Sequence, residues 1–299
     1  MIARVTTQTQ MRSAQTNLQQ NLARLAQLQE QATSLKAIAR PSDDPARAAD
    51  ALTVRAEQRA VTQYGRNVEN GDGWLSTANT ALAEATDLLN QVRDLTVQGA
   101  NDGALSPAAK EAIAARLDGL TRNLLAQANA AYLGRSVFAG NSDAGVAFRD
   151  DSGFTFTGTG AATATVDRRI GADTTVRVDA DGAAIFGTGT DSVFALIGAI
   201  ANDLRTGGTN AGTHLAAVDF RMKTVLTAQT DVGVRQAQIQ KAGEALVQHK
   251  GNLEAQRAGI EDVDLGQAIL DLKLQEVTYQ AALSVTARVL QPTLMDFLR

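Results

Sequence analysis

Cysteine is absent from all 299 residues. That excludes a disulfide framework, thiolate catalysis and cysteine-ligated zinc, and leaves the compartment open. Histidine is nearly absent. His214 and His249 each lie in a helical pattern without a second nitrogen ligand nearby, no His-Glu-x-x-His spacing occurs, and both are expected on the solvated surface. Aromatic residues make up 4% of the chain, with Trp74 the only tryptophan, so the core is expected to be built from leucines and small residues. Clustered basic charge is also missing: 28 Lys and Arg are scattered among 32 Asp and Glu, for a net charge of -4. A nucleic-acid partner normally demands a concentrated cationic face, so that class is disfavoured. Long hydrophobic runs are lacking; Val193 to Ala201, nine residues, is far short of a bilayer crossing. The polar start, MIARVTTQTQMRSAQTNLQQ, predicts no cleaved export signal, and these absences taken alone point to a soluble cytoplasmic protein.

Catalytic groups are missing in the same way. The glycine-rich GTGTD at 187 to 191 has no lysine and does not link a strand to a helix, so it reads as a turn. Asp143, Asp150 and Asp151 match no EF-hand spacing and read as loop residues. Asp43 and Asp44, adjacent and flanked by prolines, are a helix start more economically than an acid-base pair. No enzyme, no cofactor and no metal site is expected.

What is present is helical periodicity. With 44% hydrophobic residues the chain is long enough for two or three domains. Met11, Ala14, Leu18, Leu22, Leu25, Leu28, Ala32 and Leu35 stand three or four apart, which predicts an amphipathic helix whose polar flanks leave it in need of a partner. The run Pro41, Ser42, Asp43, Asp44, Pro45 ends it and starts another, with Asp44 as N-cap and Pro45 at the first helical position. Gly65, Gly71 and Gly73 weaken the middle of that helix. Leu75, Ala78, Leu82, Ala85, Leu89 and Val92 then follow at heptad spacing. After a turn with Ser106 as cap, Ile113, Leu117, Leu120, Leu124 and Ala128 predict the second arm of a helical hairpin over 74–131.

The texture changes after Leu133. Ten of the 25 glycines fall between Gly134 and Gly189, and FTFT at 154–157, ATATV at 162–166 and TTVRV at 174–178 alternate as strands do. A helix is expected from about Asp191, with Phe194, Ile197, Ile200 and Leu204 on one face. Beyond the break at 206–212, Val218, Val225, Val232, Ile239, Leu246, Leu253 and Ile260 stand seven apart in one long arm. Its other seam positions are poor for a zipper, since they include Arg221, Arg235, His249 and Gln256. Asp264 and Gln267 are spaced as a capping pair for a last helix. That helix carries two apolar lines: Ile269, Leu272, Tyr279, Leu283 and Leu290 on one, Leu270, Leu274, Val277, Ala281, Val285 and Val289 on the other. A surface helix needs one, so the second demands a further partner.

Three segments carry a resemblance. RPSDDPARAADAL at 40–52, QYGRNVENGDGWLSTANTALAEATDLLNQVRDLTVQGAND at 63–102, and GIEDVDLGQAI with ALSVTARVLQPTLMDFLR at the C-terminus are similar to the bacterial flagellar axial proteins of the flagellin group. The proline after the two aspartates is similar to the hook-filament junction branch, where filament flagellins tend to have alanine. The resemblance implies a mainly α fold. Paired N- and C-terminal helices form a coiled-coil-like rod, a helical hairpin forms a middle layer, and a small β-rich insert forms an outer domain. It divides the chain into an inner-tube region of residues 1–44 and 264–299, a rod of 45–133 and 191–263, and an outer domain of 134–190. It places Leu18, Leu22, Leu25, Leu28 and Leu35 with Ile269, Leu272, Leu274, Val277, Leu283, Leu290, Leu294 and Leu298 at subunit interfaces. It also implies export through the flagellar channel to the extracellular flagellum, which overrides the cytoplasmic reading. The implied partners are further copies of the chain, the first hook-associated protein, flagellin, and a flagellar secretion chaperone at the C-terminal helix. No nucleic acid and no membrane insertion are implied. A short flagellin is the nearest alternative, and a cytoplasmic coiled-coil scaffold or secreted effector a remote one.

Overall fold

The structure is a computed structural model that describes residues 7–101, 105–151, 153–158, 164–206 and 211–290. Among the described residues, seven α-helices carry almost all of the regular structure: α1 (Thr7–Ser34), α2 (Pro45–Gly99), α3 (Pro107–Ala128), α4 (Gly182–Phe186), α5 (Val193–Thr206), α6 (Leu215–Glu261) and α7 (Leu265–Leu290). Four short strands, β1 (Ala131–Tyr132), β2 (Arg135–Ser136), β3 (Asp167–Arg169) and β4 (Thr175–Arg177), form two separate antiparallel hairpins. The mainly α architecture expected from periodicity is therefore the observed one. The chain divides into two compact units, Met1–Ala60 with Lys250–Arg299, and Val61–His249, and α2 and α6 each contribute to both.

In the unit 61–249 the heptad of α2 is the spine. Leu75, Ala78, Leu82, Ala85, Leu89 and Val92 are all buried, joined by Ile113, Leu117, Leu124 and Ala128 of α3 and Ile197, Ile200 and Leu204 of α5. Ser106 caps α3 by accepting from the Ala109 amide, as its place before Pro107 dictates. The residues of α6 that stand seven apart, Val218, Val225, Val232 and Ile239, are each no more than 1% exposed. Their imperfect seam has a cause: Arg221 donates to the Asp191 carbonyl and Arg235 to the Asp179 carbonyl at 3.0 Å, so these arginines satisfy backbone groups of an irregular neighbour.

Helix α2 runs for 55 residues through its glycines. Gly71 and Gly73 are packing positions: a Cβ on Gly71 would lie 2.7 Å from Ile239 Cδ1, and one on Gly73 2.5 Å from Tyr132 Cζ. One expectation is corrected: the insert has far less strand than its alternation suggests. FTFT forms only an isolated bridge between Phe156 and Phe148. Phe154 takes a left-handed φ of 46°, and the Asp151 carboxylate accepts from the Gly153 and Thr155 amides, offering that backbone an alternative to a ladder. The phenylalanines instead build a cluster of Phe138, Phe148, Phe186 and Phe194, with ring centroids 5.2 Å apart for Phe148 and Phe194. Of ATATV, residues 162 and 163 lie outside the described residues and 164–166 are irregular; the Val166 amide is held by the buried Asp179 carboxylate at 2.8 Å. Only TTVRV yields a strand, β4.

Candidate functional site

The terminal unit holds nearly all the residues singled out as interface candidates. Helices α1 and α7 pack against each other antiparallel. The α1 seam is Ala14, Leu18, Asn21, Leu25, Leu28 and Ala32, and only Leu28, 5% exposed, is fully buried. The facing seam of α7 is Ala268, Leu272, Gln275, Tyr279, Ala282 and Thr286, again with one buried member, Ala268. Both run at alternating steps of three and four, the spacing of a coiled-coil contact. In mid-seam, Gln275 donates to the Asn21 carbonyl at 3.1 Å. A narrow seam with a polar centre specifies register more than it stabilises.

The two apolar lines of α7 are thus separated. Leu272 and Tyr279 of the first turn inward, while Ile269 and Leu283 stay exposed. The second line is free: Leu270, Leu274 and Val277 are 66%, 69% and 64% exposed, and Ala281 and Val285 continue it. On α1, Leu18 and Leu25 are half-buried and Leu22 is exposed; Leu35, just past its end, is exposed too. Leu290 ends α7 and its side chain is not among those described, while Pro292, Leu294 and Leu298 lie outside the described residues.

The motif at 41–45 does what its residues dictate. The Asp44 carboxylate accepts from the Arg47 amide at 3.0 Å at the head of α2, and Asp43 accepts from the Arg40 amide at 2.8 Å, which folds the turn that Pro41 opens. The expected reciprocal cap on α7 forms by half. Asp264 accepts from the Gly266 and Gln267 amides, but the Gln267 side chain reaches forward to Asp271 instead of back to the cap.

A polar centre that the sequence did not signal lies between the two connectors. Residues 35–37 and 261–263 clasp each other: the Ala37 amide donates to the Glu261 carbonyl at 2.7 Å, the Val263 amide to the Leu35 carbonyl at 3.2 Å, and Lys36 stands opposite Asp262 in an antiparallel bridge. The Glu261 carboxylate, 6% exposed, is gripped by Arg55, whose Nη2 donates to Oε2 at 2.8 Å. Its Oε1 lies 2.6 Å from Arg55 Nε, out of line for a hydrogen bond. Arg257 approaches Oε2 at 3.6 Å. The hydrogen bond from Arg55 and its charge hold the Glu261 carboxyl below its ordinary value against the opposing effect of burial. Arg47 donates to the carbonyls of Gly259 and Ile260, two of the acceptors that the end of α6 leaves unpaired. Glu261 could have been found from the sequence only as part of the acidic cluster EDVD, which marks a boundary without naming a partner 206 positions away.

The other candidates resolve into structural roles. His214 is a correction: it is not a freely solvated residue but is half-buried and hydrogen-bonded to Asp203 at 2.8 Å. His249 is exposed on α6. Asp151 orders its own loop, and the hydrogen bond from the Thr155 amide lowers its pKa. Among the described residues, no group of three or more His, Cys, Asp or Glu side chains converges to hold a metal, and no helix is long and apolar enough to cross a membrane.

Comparison with known proteins accounts for the terminal helices. The bacterial flagellin N-terminal helical region matches residues 5–143, and the bacterial flagellin C-terminal helical region matches residues 215–298. The chain is 24% identical to a flagellar filament 30.7 kDa core protein of Treponema maltophilum, over 87% of this chain and 86% of that one. It is 24% identical to a flagellin of Halalkalibacterium halodurans over 93% of each. Among solved structures it is similar in fold to a putative flagellar hook-associated protein of Vibrio parahaemolyticus, with a TM-score of 0.66 at 22% identity over 74% of this chain and all of that one. It is also similar to flagellar hook-associated protein 3 of Legionella pneumophila, with a TM-score of 0.61 at 13% identity over 68% of this chain and 97% of that one.

Proposed function

Because the chain belongs to the flagellin family, we propose that it is a structural adaptor of the bacterial flagellum, joining hook to filament between the first hook-associated protein and flagellin. It performs no turnover. The observation that carries the reading is the outward line Leu270, Leu274, Val277, Ala281 and Val285 on a helix whose inner seam is thin and polar at its centre. Each leucine that a neighbouring subunit covers contributes roughly 1.5 to 3 kcal/mol, so α1 and α7 gain most of their stability by assembly. Leu18, Leu25, Leu28, Leu272 and Tyr279 hold the pair together within one subunit. The outer line, with the exposed Ile269 and Leu283 of the first line, meets neighbours, and the same role is assigned to Leu290, Leu294 and Leu298. Before export a secretion chaperone covers that line; after export through the flagellar channel, further copies of the chain, the first hook-associated protein and flagellin do.

Two features support the junction over the filament itself: the proline that follows Asp43 and Asp44, and the likeness in fold to hook-associated proteins. A short flagellin is the second reading, favoured by sequence relatives that are named as flagellins and filament core proteins. Copy number separates the two. Quantitative mass spectrometry of sheared flagella is expected to find this chain as a trace component beside abundant flagellin; a chain that dominates the filament mass overturns the junction reading.

A further inference from the structure

The clasp between the connectors has a role beyond joining helices. We propose that Glu261 is a positioning residue for assembly: with Arg55 and the clasp it keeps residues 45–60 and 250–263 ordered when α1 and α7 come apart. Fraying of the terminal helices then stops at a fixed place, and they re-dock in one register. The proposal rests on reading α1 and α7 as the assembly surface, but its test reads order in the unassembled chain, so the two fail separately.

The geometry carries this. Glu261 ties three segments at once, through its carbonyl to Ala37 in the connector, through its carboxylate to Arg55 of α2, and through the same carboxylate to Arg257 one turn back on α6. Arg47 adds a second link from the head of α2 to the last carbonyls of α6. None of these bonds uses a side chain of α1 or α7; Gln31 of α1 does reach the clasp, donating to the Ala37 carbonyl at 2.9 Å, but from the last turns of α1 next to the connector rather than from the α1–α7 seam. Leu35 sits in the left-handed region, at φ 57°, a conformation that a leucine keeps only where its surroundings over-determine it; here the Val263 amide holds its carbonyl. The seam beyond the clasp is held more lightly, its middle joined by the neutral bond from Gln275 to Asn21.

Charge gives the clasp its pH dependence. The charged groups around the Glu261 carboxylate are Arg55 from α2, Arg257 from α6 and Lys36 from the α1–α2 connector. Glu254 is itself engaged by Arg257, and Asp262 lies opposite Lys36. The folded carboxyl titrates below its ordinary value of 4.5, so its contribution is present above that pH and is lost as the pH falls through the folded value.

Amide hydrogen exchange on the full-length chain tests this. In Glu261→Gln, amides of 45–60 and 250–263 are expected to exchange about tenfold faster, a modest factor because Arg55 is half in solvent, while those of 61–249 keep their rates. Arg55→Gln should match it, and the double variant should be no worse than either alone. Acidifying the parent protein to well below pH 4.5, with intrinsic rates corrected, should reproduce the loss, and Glu261→Gln, in which the Asp43 and Asp44 caps can still be protonated, should respond less. Unchanged protection in the two segments, or an equal loss across 61–249, overturns the proposal. Should Glu261→Gln not fold, Arg55→Lys keeps the charge without the fork, and the same segment-specific loss must appear.

Discussion

At the scale of single residues, glycines in one helix act in opposite directions. Gly73 is a close-approach site, because a methyl there would meet the Tyr132 ring, whose hydroxyl, Cζ and Cε2 all lie within 2.6 Å of it. That ring also packs edge-on against the buried Trp74 at 6.1 Å, so it cannot swing aside without loosening the core. Gly73→Ala is expected to destabilise by about 1 to 3 kcal/mol, the usual cost of overpacking. Gly65, on the same helix, has nothing within 4 Å of its ideal Cβ. Gly65→Ala should therefore stabilise by up to about 1 kcal/mol, through helix propensity and a smaller unfolded ensemble. Denaturant melts of the two variants check this, and equal signs would contradict the packing account. The sequence announces the glycines but not the difference between them, because what decides it is a tyrosine far along the chain.

At the scale of elements, α7 has one face packed on α1 and one exposed, and the proposed function assigns assembly to the second. Leu274→Asp, on a side chain 69% exposed, is expected to leave the melting temperature of the isolated chain unchanged and to abolish its incorporation into flagella. Leu28→Ala, in the inner seam, should instead loosen the α1–α7 pair by about 2 kcal/mol, the low end for a buried leucine because the seam can collapse. Circular dichroism melts with a sedimentation assay for assembly distinguish the two; a Leu274→Asp chain that assembles normally removes the outer line from the interface. Helices were legible in the sequence wherever a period was sustained. Leu75 to Val92 and Val218 to Ile239 read directly as buried seams, because 3.5-residue spacing has one structural meaning over that length. The line on α7 that faces inward was not legible: periodicity gives the width of an apolar face, not its partner. FTFT misled because strand-like alternation and an aromatic cluster fed by an irregular loop look alike over four residues. The Glu261 clasp was invisible since a polar pair across 206 positions leaves no period at all.

At the scale of the whole molecule, the chain combines a unit with a large buried core, residues 61–249, and a terminal unit whose α1 and α7 share a thin seam. This asymmetry is what an assembling adaptor requires. The core carries its own packing, and the terminal helices leave apolar surface exposed. The absence of cysteine, a helical backbone and a nearly neutral charge suit that role and identify nothing by themselves; the family match and the free line on α7 give it content. The central claim is that this chain joins filament to hook, and removing its gene tests it most directly. Electron microscopy of the deletion strain is expected to show complete hooks without filaments, with unpolymerised flagellin accumulating in the medium. Filaments of normal length on the deletion strain would contradict the account.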